Sequence, residues 1–156
     1  MLPKPPEATL TLVQANVRAD HVRIRAALDE LTRLASTSAQ EGGETHWSLE
    51  LTGAIWGLFL LFDDHLAMEE RDLVPLLERT GVWGKVQVER MQQEHRQQRT
   101  VLLATVDACD DNTKAPAVIA NNARWLVESL RRDMDREERE FESIRDDGFV
   151  ADQFTG

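Results

Sequence analysis

The stretch LLFDDHLAMEERDLVPLL, residues 60–77, decides the fold. With Leu58 just before it, its residues Phe62, Leu73 and Leu76 recur at the spacing of one face of an α-helix. His65 and Glu69, four apart, lie on that same apolar face. Burying even one neutral polar group without a partner costs about 2–7 kcal/mol. These two residues therefore require partners, and the rest of the chain must supply them.

Glycine, proline and polar clusters cut the chain into four periodic segments. The breaks are STSAQEGGET, TGVWGK and DDNTKAP, the last offering Thr113 as an N-cap and Pro116 in the first helical turn. No stretch alternates with period two over the length of a strand. The segments run over 8–36, 47–79, 85–110 and 116–145. Short connections between long amphipathic helices predict an all-α, antiparallel up-down-up-down four-helix bundle, with residues 1–156 forming a single domain.

Each helix carries an apolar stripe with one polar interruption near its middle. In the first, Leu10, Val13 and Val17 lead to Ile24, Leu28 and Leu31, and His21 fills the gap. In the second, Leu51, Ile55, Leu58 and Phe62 lead to Leu73 and Leu76, with His65 and Glu69 between. In the third, Val88 and Met91 lead to Leu102 and Val106 across His95. In the fourth, Ile119, Ala123, Leu126 and Leu130 lead to Phe141 and Ile144 across Asp133 and Glu137. All the interruptions are metal-ligand residue types.

Their heights agree. Glu69 and His95 are equally far from Val82 in the second turn, which puts them level in an antiparallel hairpin. Around Thr113, His95 falls within about a helical turn of Asp133 and Glu137. The polar residues are thus expected in one slab of the core. The chain also echoes itself: DHVRIR resembles EHRQQR, and HLAMEERDL resembles DMDREEREF. Two similar hairpins, each giving a lone residue and then a pair spaced by four, suit two metal ions bridged by carboxylates.

These motifs resemble the hemerythrin-like (HHE cation-binding) family, whose pattern is a lone His, HxxxE, a lone His and HxxxE on four successive helices. The resemblance covers about residues 8–145 and is carried by DHVRIR, HLAMEERDLVPLLE and EHRQQR. It implies His21, His65, Glu69 and His95 as metal ligands and Glu137 as the second bridging glutamate. It also implies two non-haem iron ions, oxo- or hydroxo-bridged. The second histidine of the true hemerythrin third helix would fall at Arg99, so the chain looks like the bacterial HHE form.

The fourth helix departs from the pattern: DMDRE puts Asp133 where the family has histidine. Aspartate is shorter and anionic. As a ligand it would favour ferric iron and hard cations, and move the site from reversible dioxygen carriage toward oxidation or iron binding. The competing reading of RRDMDREEREFESIRDD is a solvated face of helix-spaced ion pairs, with Arg132 and Arg136 as partners of Asp133. By donor chemistry alone, mixed imidazole and carboxylate suits iron, manganese or zinc.

Composition narrows the rest. A net charge of −10 argues against nucleic acid and anionic membranes as partners. The apolar block AIWGLFLLF is too short to span a bilayer, and MLPKPPEATL lacks the apolar run of a signal peptide, so a cytoplasmic location is expected. Cys109, the lone cysteine, reads as a small buried apolar residue. His46 reads as a surface residue, and Trp56 and Trp125 as core packing. The chain has no tyrosine, which removes a tyrosyl radical and a phenolate ligand from the available chemistry. The expected function is a di-iron protein binding or reacting with a small diatomic ligand or peroxide: dioxygen, peroxide or nitric oxide. Iron binding or delivery without turnover, and a metal-free interaction module, are the alternatives.

Overall fold

A computed structural model describes residues 7–37, 44–79, 81–110 and 116–147. Helix α1 covers Glu7–Thr37, with no glycine or proline inside it. The second rod comprises α2 (Glu44–Met68), a π-helical turn (Glu69–Leu73) and α3 (Val74–Glu78). Helix α4 covers Val82–Asp110 and α5 covers Pro116–Asp147. The expected N-cap Thr113 and the side chains of His46 and Ile144 lie outside the described residues.

Local chemistry explains the breaks. Gly81 takes φ +81°, a left-handed conformation that costs glycine little, and its carbonyl accepts the Lys85 N–H at 3.1 Å to open α4. Pro116 opens α5, where its missing N–H would have no partner in any case. The π turn was not expected from the sequence. Pro75 lies at the start of α3. It lacks an N–H, and its ring presses on the carbonyl four residues back; a widened turn relieves both effects.

The second rod packs on α1 and α4, and α5 closes the ring by packing on both α4 and α1. The result is the expected all-α helical bundle. Its apolar core falls into two clusters. One contains Ile24, Leu28, Leu31, Leu51, Ile55, Leu58, Leu102, Leu126 and Leu130. The other contains Val13, Val17, Leu73, Leu76, Leu77, Val88 and Phe141. Each such side chain contributes on the order of 1.5–3 kcal/mol on burial. The polar interruptions of the four stripes lie between the clusters.

Three expectations change. Trp56 and Trp125 are 40% and 56% exposed: each directly follows or precedes the inward residue of its helix, Ile55 and Leu126, and so points outward. The apolar block of α2 belongs to a longer helix, and Leu49–Glu78 is long and apolar enough to cross a membrane by length and composition. The same residues supply much of the core, and a core helix satisfies that criterion too. In α5 the stripe runs through Met134, which is buried, so Asp133 lies at its edge and not at its centre.

Candidate metal centre

His21, His65, Glu69 and His95 are all buried, with Glu69 at 0% exposure. Each imidazole has the same arrangement. The Nδ1 of His21 donates to Glu138 Oε1 at 3.2 Å, that of His65 to Asp20 Oδ2 at 3.0 Å, and that of His95 to Glu70 Oε1 at 2.9 Å. With the ring proton committed outward, each Nε2 carries a lone pair. The inward nitrogens meet carboxylates: His21 Nε2 is 3.3 Å from Glu137 Oε1, while His65 and His95 Nε2 are 2.7 and 3.9 Å from Glu69 Oε1.

The orienting acids are themselves held by arginines. Arg25 donates to Glu138 at 2.8 and 3.0 Å, Arg99 to Glu70 at 2.7 and 3.2 Å, and Arg23 pairs with Asp20. Arg25 draws the Glu138 carboxyl down to about 2, with help from His21. Arg99 likewise lowers Glu70. Arg99, where the sequence raised the question of a further histidine, thus braces the ligand shell from outside and also bonds Asp63 at 3.0 Å.

Electrostatics at the centre is under strain without a cation. Burial pushes the Glu69 carboxyl well above its ordinary range, and the neighbouring Glu137 carboxylate adds to the push. Burial opposes ionisation of Glu137 as well, but the neighbouring His21 and Glu69 side chains outweigh it and leave its carboxyl lowered. Burial lowers His95 against the pull of Glu70, which keeps that ring neutral, its metal-binding form.

The donors fit a metal ion. His21, His65 and Glu137 place one donor atom each within 4.8 Å of one another. Both oxygens of Glu69 and Oε1 of Glu137 are buried without accepting a hydrogen bond. In native interiors such oxygens are nearly always partnered. Lone pairs on nitrogen facing carboxylate oxygens repel unless a proton or a cation stands between them. The carboxylate–histidine arrangement repeated three times is the geometry that orients metal-binding imidazoles. A cavity of about 10 Å³, roughly room for one water, adjoins these groups and is lined also by Gln98 and Asp133. A second, of about 20 Å³, lies between α4 and α5 beside Trp83, Met91 and Phe141, and shares Glu94 and Glu137 with the first.

Asp133 is engaged elsewhere. Its Oδ2 accepts a hydrogen bond from Gln98 Nε2 at 2.9 Å, and its Oδ1 lies 3.3 Å from Arg136. The edge position of Asp133 beside buried Met134 explains this. Asp20, Glu70 and Glu138 were not singled out in the sequence. The available signal was an acid directly beside three candidate ligands, at Asp20–His21, Glu69–Glu70 and Glu137–Glu138.

No curated protein and no solved structure matches the chain. The family model of the hemerythrin HHE cation-binding domain matches residues 12–144. Its pattern and the buried cluster of imidazoles and carboxylates agree: the chain belongs to the hemerythrin HHE cation-binding family.

Proposed function

We propose that the chain is a di-iron protein that binds or reacts with dioxygen, peroxide or nitric oxide. His21, His65 and His95 would hold the ions through Nε2, with Glu69 and Glu137 as the carboxylate donors between them. One observation carries this reading: three buried imidazoles, each with Nδ1 tied to a carboxylate, present their free nitrogens to glutamate oxygens that have no hydrogen-bond donor. Iron bound there would supply electron exchange with the small ligand. Asp20, Glu70 and Glu138 fix ring orientation and tautomer. Phe62 and Leu66 wall the cavity and limit water, which supports a ligand of few atoms.

Metal content of protein purified from iron-rich growth, paired with its visible spectrum, tests the proposal. Two irons per chain with bands that respond to dioxygen, peroxide or nitric oxide are expected. Iron whose spectrum responds to none of them would instead mean storage or delivery. A folded protein that takes up no metal would overturn the reading.

A further inference from the structure

The imidazole supports follow the ring of helices. Asp20 on α1 reaches His65 on the second rod, Glu70 on that rod reaches His95 on α4, and Glu138 on α5 reaches His21 on α1. In each case an acid next to one candidate ligand turns a neighbouring helix's donor inward. The remaining link lies between α4 and α5, and there the direction is reversed. Glu94, beside His95, pairs with Arg136 at 3.0 Å and Arg90 at 3.2 Å. Asp133 on α5 instead accepts from Gln98 Nε2 on α4.

An ionised carboxylate accepts hydrogen bonds and donates none, so Asp133 fixes the rotation of the amide: the NH2 group faces it, and Oε1 faces away. That Oε1 is buried and accepts no hydrogen bond. Gln98 lines the cavity shared by His95, Glu69 and Glu137. It stands three residues after His95, on the same helix face.

We infer that Gln98 Oε1 is a ligand to the second cation, beside His95, and that Asp133 is its positioning residue. This rests on the two-cation reading above. Asp133 does for an amide what Asp20, Glu70 and Glu138 do for imidazoles. The two positions are then unequal. One has His21 and His65; the other has one imidazole and an amide oxygen, and both draw on Glu69 and Glu137. Oxygen donors favour harder cations, so the second position binds a soft or late divalent ion more weakly than the first.

Cobalt(II) titration of the metal-free chain, with bound metal counted by equilibrium dialysis and coordination read by visible absorption, tests the assignment. The unaltered chain is expected to take up two cobalt ions in two steps. Gln98→Leu should keep the first step, weaken the second at least tenfold, the lower end for loss of a ligand's support, and alter the second ion's absorption. Asp133→Leu, which frees the amide to rotate, should weaken the same step less, and Gln98→Glu, which keeps an oxygen donor, should retain it. Circular dichroism and an intact first step establish that each variant is folded. A Gln98→Leu or Asp133→Leu protein with both steps and spectra unaltered overturns the assignment while the two-cation reading stands. Uptake of one cobalt or none by the unaltered chain overturns both.

Discussion

His65 Nε2 stands 2.7 Å from Glu69 Oε1, although the His65 ring proton is committed to Asp20 on the opposite side. Both residues are closed to solvent. A nitrogen lone pair and a carboxylate oxygen at that distance are stable only with a positive charge between them. Without metal the charge is a proton; with metal it is the ion. The same residues thus cost stability in one state and supply it in the other.

Glu69→Gln should therefore act with opposite sign in the two states. In metal-free protein it removes a buried carboxylate facing Glu137 and should stabilise the fold by about 1–3 kcal/mol at neutral pH, a rise of several degrees in Tm. In metal-loaded protein it should lower both metal content and Tm. The sign of the pH dependence follows. Glu69's folded-state pKa is raised, so the metal-free native state binds more protons than the unfolded chain above the ordinary carboxylate range. Its stability should fall as pH rises through the raised value, and Glu69→Gln should remove that slope. Thermal melts of both forms across pH check this; equal shifts in both forms would refute it.

Acid should release the metal. Neutral imidazole and ionised carboxylate are the binding forms, and protons compete for both. Release should begin as pH falls below the ordinary histidine value of about 6.5. Burial holds His95 below the ordinary histidine range, so its ring resists protonation as the pH falls. Arg25 holds the Glu138 carboxyl down to about 2, so that support of His21 keeps its charge throughout release. Metal retained per chain after dialysis at stepped pH reads the effect. Undiminished retention at pH 4 would contradict a centre held by three imidazoles.

The four helices and the slab of polar residues were legible because both follow from period and distance. Stripes at three- and four-residue steps put His21, His65, Glu69 and His95 inward, and equal spacing from the turns put them level. The fourth helix was not legible to the same degree. Asp133 and Met134 are neighbours, and a rotation of one residue exchanges which faces the core; only packing against α1 and α4 settles it. Nor could sequence assign Asp20 to His65, since its own neighbour is His21. That pairing depends on which helices touch and in what order around the ring. The π turn escaped for a different reason: Pro75 marks strain, but not the residue at which the helix widens.

The supporting acids should matter nearly as much as the ligands. Glu138→Gln keeps size but removes the charge that holds the His21 tautomer, and should weaken metal binding about 10–100-fold. Arg25→Ala should do less, because Arg25 is partly solvated and acts on His21 only through Glu138. Competition against a chelator of known affinity ranks the two. Arg25→Ala weakening binding more than Glu138→Gln would place the arginine, not the carboxylate, in control of the ring.

The route to the centre should run between α4 and α5. Of the two central glutamates, Glu137 has the more exposed side chain, 20% against 1% for Glu69. It lines the larger cavity beside Trp83, Met91 and Phe141, and Arg136 spans the opening by pairing with Glu94 at 3.0 Å. Such a half-exposed ion pair contributes at most about 1 kcal/mol, so Arg136→Ala should leave the fold and the equilibrium affinity for metal nearly unchanged. It should open the seam, however, and raise the rate at which an external chelator strips iron several-fold. Arg33→Ala, which removes a pair with Glu30 on the solvent face of α1, is the control for a general effect of charge. Stopped-flow chelation of the iron-loaded proteins measures all three. If Arg136→Ala releases iron at the rate of the unaltered chain, or no faster than Arg33→Ala, the metal leaves by another path and the α4–α5 seam is closed.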